Sequence, residues 1–172
     1  LLGNHDRMLL RTLEDPARHA AHWIAMGGDA TLVSFGVPLS SGRAGREAAS
    51  RHVDRAASLA KAIAPGMRRW LATRPLWWRS GTLVAVHALT DPAQRMEAQT
   101  EDVLLWARPH ARLRPRHDGN WVVHGHTIVP RPEIGRGHIA IDTGAFRSGR
   151  LTALVASPDA APRFLQTGAA EH

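Results

Sequence analysis

The sequence predicts an α/β fold in which helices come first and strands second. Two observations carry it. Residues 7–72 hold Ala-rich stretches with apolar side chains at helical spacing, punctuated by Asp-Pro, Gly-Gly and Pro-Gly. Residues 76–166 hold short runs of Val, Ile, Leu and Trp separated by Gly and Pro. No segment repeats, and no stretch has linker composition. The chain therefore reads as one domain over 1–166, with a disordered tail at 167–172.

Each element has a local reason. Leu1-Leu2 reads as the end of a buried strand, with Gly3-Asn4-His5-Asp6 as the turn after it. Asp6 can cap a helix over 7–13. Asp15-Pro16 restarts a helix, with Ala17, Ala20, Ala21, Trp23 and Ile24 on one face, closed by Gly27-Gly28-Asp29. Residues 31–37 are a short apolar stretch before a loop of Pro, Ser and Gly. Residues 47–64 predict a long helix closed by Pro65-Gly66, and 67–72 one more helical segment. Residues 76–79 and 82–87 predict two strands about Ser80-Gly81. Residues 91–99 read as loop or lid, 101–106 as a short helix, and 108–120 as loop. Four short strands follow at 121–124, 138–141, 151–156 and 163–166, the last two joined by a turn at 159–162.

Composition narrows the function classes. With 172 residues and a hydrophobic fraction of 44%, the chain can bury a core. No stretch approaches the roughly 18 apolar residues of a membrane span, and no signal peptide is visible. Cysteine is absent, which excludes disulfides and thiolate metal sites. Any metal must be held by His, Asp, Glu, Asn or water. The net charge of +7 is nearly all arginine, with Lys61 the sole lysine. That skew fits the codon bias of a GC-rich genome. Scattered, solvated arginines are favoured over a nucleic-acid groove, because aromatics do not interleave with the basic residues.

Three features that can carry chemistry each end a predicted strand: Asn4-His5-Asp6, His87, and His124-Gly125-His126-Thr127. Ligand sites of α/β sheets collect at such carboxyl ends. Among eleven histidines most are bystanders, and His19, His22, His52, His110 and His117 read as solvated. A lone His87 would more often be a rim or core histidine. The three features together are much less expected by chance.

Gly3-Asn4-His5-Asp6, Val86-His87-Ala88 and Val123-His124-Gly125-His126-Thr127 resemble signature blocks of the calcineurin-like metallophosphoesterases. Leu104-Leu105-Trp106-Ala107-Arg108, Ile141-Asp142-Thr143-Gly144-Ala145 and Gly149-Arg150-Leu151-Thr152-Ala153-Leu154 resemble the bacterial serine/threonine protein phosphatases within them. The order and spacing match from Leu1 to about Gln166. The resemblance implies the C-terminal portion of that family's β-sandwich flanked by helices, in a cytoplasmic enzyme. It implies hydrolysis of phosphomonoesters, foremost phosphoserine and phosphothreonine on proteins, with two divalent metals roughly 3.5–4 Å apart activating a water. Manganese is the first expectation, with iron or zinc as alternatives. Asn4, His87 and His126 would ligate the second metal. His5 would protonate the leaving alkoxide as general acid. Arg108 would clamp the phosphoryl group, which suits a planar guanidinium. His124 reads as a neighbour rather than a ligand, and Asp142 as a turn residue before a supporting one. Trp77, Trp78 and Trp106 read as core.

The match also has departures. The family's earlier blocks, Gly-Asp-x-His-Gly and Gly-Asp-x-x-Asp-Arg-Gly, do not occur in this sequence, so ligands of the first metal and the bridging carboxylate are not supplied here. Leu2 stands where a basic residue is common, and Leu89 where a glycine is usual. The expectations that follow are a chain inactive by itself and marginal stability from uncovered sheet edges. A diadenosine-tetraphosphate hydrolase is the closest rival in the same chemistry. A non-catalytic remnant that holds metal poorly is the non-enzymatic rival, and a basic nucleic-acid module the weakest. Substrates would be phosphoproteins or small phosphoesters, with no membrane partner.

Overall fold

The computed structural model describes residues 1–39, 46–109 and 114–168. Expectations for His110, for the heart of the Pro-Ser-Gly loop and for the tail beyond 168 fall outside those residues. The chain is mixed α/β, as the order of its elements predicts. It groups into two compact units, Leu2–Arg74 and Pro75–His172, with Leu1 going with the second.

The first unit is helical. Helix α1 spans Asn4–Glu14, so the Asn4-His5-Asp6 block forms the helix's first turn instead of a turn before it. The cause is a local bond. The Asp6 carboxylate accepts the Gly3 N–H at 2.8 Å, which fixes extended Gly3 as the N-cap and starts the helix three residues before the expected Arg7. Leu1-Leu2 pairs with no strand among the described residues, although Leu2 is buried. In place of the expected strand end, Leu2 alone is a buried apolar anchor ahead of α1, and Leu1 is exposed.

Helix α2 spans Pro16–Trp23, with Pro16 in the first turn and the Asp15 carboxylate accepting the Arg18 N–H at 3.2 Å. Its Ala20 and Trp23 are buried. A π-type segment, Ile24–Gly28, breaks at Gly27 (φ 95°), a conformation that favours glycine. Gly28 then lies so close to the Trp23 indole that a Cβ would sit 2.5 Å from ring atoms. Helix α3, Asp29–Ser34, takes up the apolar stretch after it. Helix α4, Arg46–Ala62, and helix α5, Pro65–Ala72, follow. Ala56, Leu59 and Ile63 are buried at helical spacing along α4 and just past its end. Helix α2 packs against both α1 and α4.

The second unit holds the sheet. Strands β1 (Trp77–Ser80) and β2 (Leu83–Val86) form the expected hairpin. Strand β3 is Trp121–His124, β4 is Glu133–Gly135 and β5 is His138–Ala140. The sheet order is β1-β2-β3-β5-β4, parallel across β2-β3 and β3-β5, antiparallel at both edges. Helix α6, Glu101–Trp106, is capped by Thr100, whose hydroxyl accepts the Val103 N–H. Val84, Val86 and Val122 form the core with Met96 and Leu104, and Leu76 and Trp77 pack against it. Trp78 alternates to the other face and is 55% exposed, so it is not core as expected. Leu89 is buried. Helix α7, Ala145–Ser148, precedes a separate hairpin of β6, Thr152–Ser157, and β7, Ala160–Gln166. Its turn is the two residues Pro158-Asp159, shorter than the expected 159–162, so β7 begins three residues earlier than expected.

The stretch between β2 and α6 is tied down by a buried arginine. Arg116 donates through Nε to Asp118 at 3.0 Å, through Nη1 to the Asp91 carbonyl at 3.0 Å, and through Nη2 to the Gln94 carbonyl at 2.7 Å. The Gln99 side chain closes the same stretch, accepting from the Asp91 N–H and donating to its carbonyl. The guanidinium beside Asp118 holds that carboxyl down to about 2. No helix among the described residues is long and apolar enough to cross a membrane.

Candidate functional site

Parallel pairing of β2 with β3 puts two histidines side by side. Beyond the strands proper, the Gly125 N–H donates to the His87 carbonyl at 2.9 Å, carrying the pairing one step further. The His87 and His126 rings then lie with centroids 5.1 Å apart at 61°. Both belong to the second unit, so this part of the predicted constellation comes together.

His126 owes its place to an unusual backbone. Its φ is +62°, one of two such non-glycine values among the described residues. The Thr127 N–H donates to the Gly125 carbonyl at 2.7 Å, closing a three-residue turn around it. A positive φ with this i to i+2 bond is the rare, strained form of the γ-turn. Strain of this kind costs of order 1–3 kcal/mol and clusters at functional sites. In an extended strand the side chain of residue 126 would follow the direction of His124. The turn releases it from that alternation.

A third ring completes the group. Trp106, the last residue of α6, meets His126 edge to face, with centroids 6.1 Å apart at 84°. The helix is tied to the His87 strand, because the Ala88 N–H donates to the Leu104 carbonyl at 2.9 Å. Trp106 is half-buried at the site rather than simply core. Arg108 follows two residues later and is exposed. Asp142 is a turn residue: its Oδ1 accepts the Gly144 N–H at 2.9 Å.

Asn4 and His5 lie in the first unit, in the opening turn of α1, with Asn4 buried and His5 exposed. Among the other histidines, His22 and His117 are exposed, whereas His19 and His52 are half-buried.

One pair of histidines escaped the sequence reading. His124 meets His138, on the neighbouring strand, with ring centroids 5.8 Å apart. His138 is 4% exposed; its Nε2 donates to the Arg114 carbonyl at 3.1 Å, and its Nδ1 has no hydrogen-bond partner among the described residues. Burial pushes both imidazoles below the usual histidine range. Both line a cleft of about 260 Å³ with Thr127, Glu133 and Arg136. The clue available in the sequence was His138 opening an apolar strand next to another His-bearing strand.

The donor set can be weighed against a metal. Two imidazoles sharing one ion at about 2.1 Å have ring centres about 4.5–5.5 Å apart, and His87 with His126 fall inside that range. Among the described residues no group of three or more His, Cys, Asp or Glu is placed to hold an ion. The pair therefore fits part of one coordination shell, leaving positions for an amide oxygen or water. No protein-family model matches the chain, and no curated protein matches it.

Proposed function

We propose that the chain carries the second-metal half of a two-metal phosphoesterase site, acting on phosphomonoesters and foremost on phosphoserine or phosphothreonine in proteins. The observation that carries this reading is the His87–His126 pair, 5.1 Å apart at adjoining strand ends, with His126 held in a strained turn. Strain at a histidine beside a second histidine is better explained by a ligand than by packing. The fold reading that accompanies it is the C-terminal part of a calcineurin-like β-sandwich.

His87 and His126 would hold the ion through neutral imidazole nitrogens, which suit manganese, iron or zinc. When bound, a pair of such ions supplies Lewis-acid polarisation of the phosphoryl group and an activated water. Arg108, exposed just past α6, would bind two phosphoryl oxygens through its planar fork. Asn4 and His5 enter by the resemblance alone, Asn4 as a further oxygen donor and His5 as the acid that protonates the leaving alkoxide.

The test is Mn²⁺ binding followed by paramagnetic broadening of the imidazole resonances. His87 and His126 broaden first, and His87→Ala or His126→Ala removes the effect. Hydrolysis of a phosphoserine peptide and of diadenosine tetraphosphate is then compared, for this chain and for the reading frame extended upstream through any Gly-Asp-x-His-Gly block. Uniform broadening of all histidines, unaffected by either substitution, would refute the metal reading. Preference for the dinucleotide would reassign the substrate.

A further inference from the structure

We infer that Trp106 is a positioning residue that sets the ring orientation of His126; this rests on the reading of His126 as a metal ligand. Pairing of β3 with β5 ends at His124, opposite Ala140, and the Gly125 bond to the His87 carbonyl is the last link to the β2 side. Past that point the backbone turns through positive φ at His126, and strand alternation no longer dictates where the imidazole points. Orientation passes to the ring's neighbours. His87 is one such neighbour, at 61° between planes, and Trp106 is another, at 84°. A near-perpendicular ring pair is the arrangement that the aromatic quadrupole favours, and it resists rotation of either partner.

Trp106 is itself firmly placed. It ends a helix whose Leu104 and Leu105 are buried and whose N-terminus is capped by Thr100. The Leu104 carbonyl takes the Ala88 N–H, one residue past His87. The helix end and the His87 strand end are thus joined by a backbone bond, and Trp106 bears on the second imidazole from that joint. A change in α6 would reach both imidazoles at once. Arg108 follows two residues after the helix ends.

The experiment uses Trp106→Leu and Trp106→Phe in the full chain, with His126→Ala as reference. In the metal-free protein, Trp106→Leu should move the His126 ring resonances and leave those of His117, on an exposed loop, in place. Its Mn²⁺ affinity should fall roughly tenfold, as for other partners that orient a ligand. Trp106→Phe, which keeps an aromatic edge, should recover most of the loss. Unchanged His126 resonances and unchanged affinity in Trp106→Leu would overturn the inference. If His126→Ala leaves Mn²⁺ binding intact, the metal reading fails, while the metal-free resonances still judge the positioning role. Should Trp106→Leu not fold, the wild-type protein carries the test. Nuclear Overhauser contacts between the Trp106 indole and the His126 ring are expected, and their absence would overturn the inference.

Discussion

The Gly125 N–H and the His87 carbonyl meet at 2.9 Å, and this bond joins the ends of two parallel strands. Each strand end carries a histidine within one residue of the bond. Two side chains far apart in sequence become neighbours because their backbones are in register. The next residue, His126, bears the conformational cost.

That cost leads to a stability prediction. A left-handed conformation costs a non-glycine residue roughly 1–2 kcal/mol. His126→Gly removes it, less what glycine loses in chain entropy. The variant is expected to gain up to about 1 kcal/mol in urea unfolding while losing Mn²⁺-dependent broadening at the site. A destabilised variant would mean that the imidazole's packing outweighs the backbone strain.

Two glycines should respond oppositely to alanine. A Cβ on Gly125 would meet the His87 carbonyl oxygen at 3.5 Å and the Asp142 Cβ at 3.6 Å, ordinary van der Waals contacts. Gly125→Ala is expected to change stability by less than about 1 kcal/mol. On Gly28 the same carbon would sit 2.5 Å from the Trp23 indole, whose residue is buried. Gly28→Ala is expected to cost about 1–3 kcal/mol by overpacking. Chemical denaturation of the two variants side by side checks both.

The buried histidines predict an acid limb. His138 lies below the ordinary histidine range chiefly through burial, with the Arg116 charge adding to it and the Arg114 carbonyl bond opposing it. The unfolded chain takes this proton more readily than the folded one. Stability is therefore full above about pH 6.5 and falls as the solution is acidified, until the folded His138 also protonates. The slope from one such group is at most about 1.4 kcal/mol per pH unit. His138→Gln should remove part of the limb, since His124 contributes in the same direction. Unfolding free energies measured from pH 7 down to pH 5 give the comparison, and an unaltered slope would contradict the assignment.

Much of the fold was legible because its signals are local. Ser80-Gly81 between apolar runs marked the first hairpin, and Pro65-Gly66 marked the break between α4 and α5. Strand β4 was not legible: three residues, Glu133-Ile134-Gly135, are too few for any period to appear. Helix α7 was missed for a similar reason, being four residues between Gly144 and Gly149, both at positive φ. Leu1-Leu2 looked like a strand because a leucine pair looks alike whether or not a ladder partner exists, and only Leu2 is buried.

The site was legible in its residues more than in its geometry. His87 and His126 stood out as strand-end histidines, and they are adjacent. The left-handed turn at His126 was not readable, since a Gly-His-Thr run does not say which residue takes the positive φ. Trp106 read as core because a tryptophan in a short apolar helix usually is. Its contact with His126 depends on pairing between segments that no local pattern encodes. The His124–His138 pair was hidden likewise, by a register that matches Val122 with His138.

The Arg116 hydrogen bonds bear on how the protein moves. The loop after β2 was expected as a loop or a lid, and two of its carbonyls, those of Asp91 and Gln94, are held by one buried guanidinium. Releasing both bonds costs about 3 kcal/mol. That keeps the detached form below about 1% of molecules at equilibrium. The segment from Asp91 to Gln94 is thus a fixed part of its unit, held by a side chain some twenty-five residues further along the chain, and it behaves as a wall rather than as a lid.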